Sequence, residues 1–280
     1  MRIIAYMGLT LAAIPIQWAY AEQNQNSDIA KGAYIFDLAG CASCHTKAES
    51  LAGGLAMETD FGVFYTPNIT PDKEFGIGNW SQADFNRALK EGISPEGEHY
   101  FPAFPYTSYR WMSDEDLRLL KVYIDNQPAI NTANQEHDLG FPFNQRALMG
   151  YWKWLFVDPI PFPGSEDADP QIQRGAYIAN ALTHCAECHT PRSLLGGQRS
   201  IGMIGTSNGP EGESVPGLVG PNANFVQWSK DDIATMLELG MTPEGDFVGG
   251  SMAHVIDNST AKLTPADNEA LTAYLYQLNN

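Results

Sequence analysis

Basic residues are scarce in this chain of 280 residues: 16 Lys and Arg stand against 33 Asp and Glu, for a formal charge of −17. That balance excludes nucleic acid as a partner, since phosphate binding needs Lys and Arg to displace counterions. It suits solubility, and it suits steering toward a partner that carries a basic docking patch. Long apolar runs are equally few. Beyond the N-terminal segment no stretch approaches the roughly 20 apolar residues that span a bilayer. Strand signals are weak throughout, which argues against a fold built on a sheet. Cysteine is rarest of all, with four in the chain.

All four cysteines fall in two pentapeptides, Cys41-Ala-Ser-Cys44-His45 and Cys185-Ala-Glu-Cys188-His189. A zinc site fits them poorly, because adjacent Cys and His do not readily share one tetrahedral ion and no second Cys pair lies nearby. Two cysteines two residues apart, followed directly by histidine, form the attachment pattern of c-type haem. Each thiol adds across a porphyrin vinyl group, and the turn between them brings the imidazole under the iron as an axial ligand. Two copies in matching contexts predict two covalently bound haems.

The N-terminus supports export. Met1 and Arg2 precede an apolar run from Ile3 to Ile16, and Ala19-Tyr20-Ala21 supplies a small-residue cleavage site. Residues 1–21 read as a signal peptide, and the mature chain is expected to be soluble in the periplasm, where cysteine pairs must avoid forming disulfides before haem arrives.

Outside the pentapeptides the chain repeats itself. Lys31-Gly-Ala-Tyr34-Ile35 returns as Arg174-Gly-Ala-Tyr177-Ile178, and helical periodicity through Ile29, Ala33 and Phe36 leads into the first pentapeptide. A second helix in each copy opens at Trp80-Ser81-Gln-Ala-Asp84 or Trp228-Ser229-Lys-Asp-Asp232, a capping box with Asp in place of Glu. These helices present Phe85, Ala88 and Leu89, or Ile233, Met236 and Leu237, and stop at Gly92 or Gly240. Last helices begin at Ser113 and Thr264, to bury Leu117, Leu120 and Ile124, or Leu271, Leu275 and Leu278. The fold expected is mainly α, with domains at 28–126 and 171–280. Between them, 127–170 is rich in proline and aromatics and is no flexible tether. Its aromatics are expected to pack between the domains and set their geometry, the alternative being an exposed docking patch.

The remaining axial ligands are read from the repeat. A displacement of 148 positions relates Trp80 to Trp228 and Gly92 to Gly240, and it sets Phe104 opposite Met252. Met252, between the second and third helices of its domain, is the expected thioether ligand of the second haem. Phe104 cannot ligate iron, so the first haem takes His99, Tyr106 or Met112, or keeps an open position. Near these ligands, Pro67-Asn68 and Pro221-Asn222 are placed to offer a carbonyl to each proximal histidine. Trp80 and Trp228 can donate to a propionate, and His137, His184 and His254 read as structural.

The run "TPNITPDKEFGIGNWSQADFNRALKEG" followed by "YFPAFPYTSYRWMSDEDL" resembles the first haem domain of cytochrome subunits attached to periplasmic dehydrogenases for alcohols, sugars and sugar acids, and of molybdenum hydroxylases. "FPFNQRALMGYWKWLF" and "RGAYIANALTHCAECHTPRSLLGG" resemble the linker and second domain of the two-haem members. The resemblance implies two tandem class I cytochrome c-like domains. By position it assigns Cys41, Cys44 and His45 to the first haem, and Cys185, Cys188, His189 and Met252 to the second. Many relatives carry Met in "PAMPY" where Phe104 stands here, and a third haem domain found in some relatives is absent. The function implied is electron transfer from a dehydrogenase to an oxidase or another cytochrome. Its rivals are a two-haem enzyme, peroxidase-like or sulfur-oxidising, that works at an open first haem, and a sensor of diatomic ligands. The sensor lacks an output domain.

Overall fold

The computed structural model describes residues 14–46, 50–209, 212–221 and 223–279, with side chains from Gln23 onward. Of the predicted signal peptide (1–21), residues 1–13 lie outside the described residues, and residues 14–21 form the start of helix α1 (Ile14–Leu38). Among the described residues no helix is long and apolar enough to cross a membrane.

The two repeats fold alike. Helix α1 leads through Gly40, held at φ +65°, into the first pentapeptide, which forms the short helix α2 (Cys41–His45). Its buried stripe is Gly32, Ile35, Phe36 and Leu38, whereas the predicted Ile29 and Ala33 are only half-buried. The first repeat continues with α3 (Gln82–Glu91), the single turn α4 (Tyr106–Tyr109) and α5 (Asp114–Asp125). After the intervening helix α6 (Met149–Phe156), the second repeat has α7 (Pro170–Tyr177), α8 (Cys185–His189), α9 (Lys230–Leu239), α10 (Gly250–Asn258) and α11 (Pro265–Gln277). Between α7 and α8 the chain widens into a π-helical turn at Ile178–Leu182.

The start and stop signals act as read. Ser81 and Ser229 accept from the backbone N–H of Asp84 and Asp232, and each Asp carboxylate accepts the serine N–H in return. Gly92 and Gly240 end α3 and α9 in the left-handed region. First and last helices of each repeat pack together, α1 on α5 and α7 on α11. A Cβ on Gly32 would lie 2.1 Å from the carbonyl oxygen of Leu119, and one on Gly175 would lie 2.0 Å from that of Ala270. Close helix approach therefore explains the glycine in both Gly-Ala-Tyr repeats. Leu271 and Leu275 are buried, but Leu278 falls one residue past α11 and is exposed, contrary to the prediction.

A small sheet was not legible from the pattern. Strands β1 (Ala56–Thr59) and β2 (Gly62–Tyr65) form a hairpin with Ala56 opposite Tyr65, and β3 (Asp138–Leu139) pairs antiparallel to β2. Strands of four and two residues are too short to display a two-residue period. Because β3 belongs to the segment between the repeats, the sheet fastens that segment to the loop that follows α2.

One buried apolar cluster runs through both repeats, from Phe36, Leu117 and Leu120 to Ile178, Ile233 and Leu271. The repeats also grip each other crosswise. Helix α10 packs on α2, and α4 packs on the π-helical turn that precedes α8. Tyr34 of α1 donates to Asp267 of α11 at 2.6 Å and accepts the Thr264 N–H at 3.2 Å. Tyr177 of α7 donates to Asp116 of α5 and accepts the Ser113 N–H at 2.9 Å. Each repeat thus supplies a tyrosine that caps the last helix of the other.

Candidate functional site

The four cysteines are free thiols in the two short helices α2 and α8. Three positions apart in a helix puts both thiols of a pair on one face. Burial pushes Cys41 up to about 12 and Cys188 up to about 11, and raises Cys44 and Cys185 as well, so the thiols stay protonated at neutral pH.

His45 and His189 are held in the same way. His45 Nδ1 lies 2.8 Å from the carbonyl oxygen of Pro67, and His189 Nδ1 lies 2.8 Å from that of Pro216. A carbonyl only accepts, so each Nδ1 carries the proton and each Nε2 keeps its lone pair. Burial lowers the basicity of both imidazoles, partly offset by these bonds, and both stay neutral. The second carbonyl corrects the sequence expectation. Pro216 holds His189, whereas Pro221 is exposed and Asn222 lies outside the described residues. The repeated Pro-Asn pair misleads here: Pro216 stands 12 positions before Trp228, much as Pro67 stands 13 before Trp80, but Gly217 rather than Asn follows it.

The Pro67 carbonyl is itself fixed. Asn68, next to Pro67, is buried; its Nδ2 donates to the carbonyls of Ile130 and Thr132, and its own N–H donates to Asn134 Oδ1. The segment after α5 thereby anchors the first clip, a role for Asn134 that no motif announced. Gly53 and Gly205 donate their N–H groups to the carbonyls of His45 and His189, at 3.0 and 2.8 Å. Both have positive φ, and a Cβ would strike Thr66 or Gly217. These glycines also escaped sequence reading, because they stand at different distances from their clips.

The second clip is tied to the first repeat. The largely buried carboxylate of Glu187, between Cys185 and Cys188, accepts from Thr107 and from Ser108 at 2.9 Å, and pairs with Arg192. Burial alone would raise its pKa; Arg192 and the hydroxyls outweigh that and lower it. His184, which precedes Cys185, reaches the notch left by Gly40, where a Cβ would lie 3.7 Å from its Nε2, and packs edge-on to Tyr109. Its predicted structural role fits this contact between the repeats. His137 is likewise engaged, accepting the Tyr65 N–H, while His254 is exposed on α10.

The proposed sixth-ligand residues go to different places. Met252 is half-buried in the first turn of α10, packed against the central cluster. Phe104 sits among the rings of Tyr100, Tyr106 and Tyr109, with centroids 5.8, 6.2 and 5.8 Å away. His99 is not a free surface residue: its Nδ1 lies 2.9 Å from Lys153 Nζ of α6. Tyr106 is buried with its ring over Gly92, and its hydroxyl has no partner among the described residues, unlike the satisfied hydroxyl expected of a core tyrosine. Met112 is fully buried in the central cluster. Trp80 and Trp228 are half-buried against that cluster, and neither indole N–H meets a protein acceptor among the described residues.

The arrangement suits covalently attached haem: neutral thiols on one helical face, beside an imidazole whose Nε2 is free to ligate. The sequence profile of the cytochrome c family matches residues 29–128. A dihaem c-type cytochrome of Cereibacter sphaeroides is 42% identical over 89% of this chain and 85% of its own length. The chain belongs to the cytochrome c family. Other cytochrome c relatives include the gluconate 2-dehydrogenase cytochrome c subunit of Pantoea cypripedii, 32% identical over 97% of this chain and 64% of that subunit. The quinone-type alcohol dehydrogenase cytochrome c subunit of Gluconobacter oxydans is 33% identical over 98% of this chain and 59% of that subunit. The chain thus spans about six tenths of those two subunits. With two attachment motifs, this cytochrome c carries two covalently bound haems and serves electron transfer.

Proposed function

We infer that the chain is an exported, periplasmic electron carrier that takes electrons from a dehydrogenase and passes them to an oxidase or another cytochrome. The observation that carries this reading is the duplicated clip, with each histidine Nδ1 pinned to a carbonyl and each Nε2 left to bind iron. Haem iron supplies one-electron exchange between ferric and ferrous states. The protein tethers the groups through Cys41 and Cys44 at residues 28–126, and through Cys185 and Cys188 at 171–280. His45 and His189 are the proximal ligands, and Met252 is the second haem's other axial ligand. The relatives described above support a dehydrogenase as donor, since two are named as dehydrogenase subunits. They do not favour a peroxidase-like enzyme.

Optical and EPR spectra of the oxidised and reduced protein test the reading. Reversible one-electron titration of both haems, with a low-spin second haem that ignores carbon monoxide, is the expected result. Rapid peroxide turnover at the first haem would overturn it in favour of an enzyme.

A further inference from the structure

Helix α6 divides its aromatics. Trp152 and Phe156 turn inward onto Tyr106, while Tyr151, Trp154 and Leu155 are 74%, 67% and 52% exposed. The outward face continues across a second segment. Trp152 Nε1 donates to the Leu195 carbonyl at 2.8 Å, Gly197 packs on the Phe156 ring, and Leu194 and Leu195 stand beside them, 97% and 54% exposed. More than half of the large apolar side chains exposed among the described residues lie in these two segments, 141–155 and 194–195. At roughly 150–250 Å² per large side chain, the exposed parts of Tyr151, Trp154, Leu155, Leu194 and Leu195 come to on the order of 500–800 Å², at or above the largest patch on a typical monomer. It is also about what one partner contributes to a standard protein interface.

Charge and position narrow the occupant. In a chain of net charge −17, residues 139–157 and 188–209 hold no carboxylate, and they carry Arg146, Arg192 and Arg199 toward the surface, Lys153 being buried. Arg146 approaches Glu98 at 3.8 Å and Arg192 is paired with Glu187, while Arg199 is exposed with no carboxylate partner among the described residues. The face is therefore a gap in the acidic surface, matched to an apolar partner surface with carboxylates at its rim. It adjoins the second clip: Arg192 also donates to the Glu187 backbone carbonyl at 3.1 Å and to that of Gly196 at 2.8 Å. Such a surface beside a haem attachment suits a protein that exchanges electrons there.

We propose that the outward face of α6, with the Leu194-Leu195 turn, is the docking surface for the donor dehydrogenase. This rests on the electron-carrier reading above. Its test places a photo-crosslinking amino acid at Trp154, at Leu194 and, as a control on another surface, at Phe247, in the haem-loaded protein within its native host. Adducts identified by mass spectrometry as a dehydrogenase subunit from Trp154 and Leu194, and not from Phe247, are expected. Reduction of a Trp154→Glu/Leu194→Glu variant by that dehydrogenase and its substrate should slow at least about tenfold, as for loss of an interface hot spot. Both side chains are exposed, so haem absorbance and potentials should match the parent. A dehydrogenase captured only from Phe247, or unslowed reduction of the variant, overturns the docking surface and leaves the carrier reading standing. Self-adducts with a concentration-dependent dimer, or binding of the parent but not the variant to phosphatidylglycerol vesicles, overturn it in favour of a second copy or a membrane. No redox protein captured from any position, with no substrate-driven reduction of the parent, defeats the carrier reading and the docking surface together.

Discussion

Pro67 and Pro216 do the same work from unlike loops: each offers a carbonyl to a clip histidine. At the residue scale two outcomes follow. Replacing Met252 by Ala should convert only the second haem to a high-spin, carbon monoxide-binding form, read by EPR and optical spectra, while the first haem's signals stay put. An unchanged spectrum would remove Met252 from the ligand set. Lys153 is a different case, a buried ammonium that donates to the carbonyls of Glu91 and Gly92 and faces His99. Burial brings its pKa down to about 8. Its folded pKa therefore lies below its unfolded value, and between the two the unfolded chain binds more protons. Stability should rise from pH 8 to pH 10, before tyrosine ionisation reverses the trend. In Lys153→Met that rise should vanish, as measured by denaturant midpoints across the same range.

Between helices, the decisive contacts are the crossed tyrosine caps. Tyr34 meets Asp267, which also holds Arg174 in a two-point ion pair at 2.8 and 2.7 Å; Tyr177 meets Asp116. Burial and the bond to Asp267 push the Tyr34 hydroxyl up to about 12, so the donor persists through the neutral range. Removing a hydroxyl from a half-buried pair costs about 1–2 kcal/mol. The Tyr34→Phe/Tyr177→Phe variant should lose roughly twice that in stability, and amide exchange should speed at the N-termini of α5 and α11. Each haem's spectrum should be untouched. Unchanged exchange at both helix starts would show that the caps carry no load. These elements were legible individually: the capping boxes, the glycine stops and the Gly-Ala-Tyr repeats all read correctly. The partners of Tyr34 and Tyr177 were not, because they lie across the interface, 233 and 61 positions away.

Over the whole molecule, the shared apolar cluster and the Glu187 contacts make the two repeats one packed body rather than beads on a tether. A chain with Cys185 and Cys188 both replaced by Ala should hold one covalent haem in place of two, quantified by its pyridine haemochrome spectrum. Because α10 packs on α2, loss of the second haem should also lower the thermal midpoint of the first repeat. A first repeat that melts as before would mean the two halves are energetically independent.

The sequence by itself determined the chemistry. Covalent attachment needs two thiols and an imidazole within one helical turn, a local pattern that cannot be hidden by folding. It determined the first, second and last helices of each repeat too, since caps, glycine stops and apolar periodicity are local, but not α4, α6 or α10. What only the tertiary structure decided was whatever depends on loops of unequal length or on contacts between repeats. Pro216 rather than Pro221 holds His189, Gly53 and Gly205 steady the clips, and Tyr34 and Tyr177 cap across the interface. Glu187, to which the attachment motif assigns no role, is a largely buried anchor, and α6 turns Trp152 inward and Trp154 outward. In each case the deciding partner is distant in sequence, so the geometry exists only once the chain has packed.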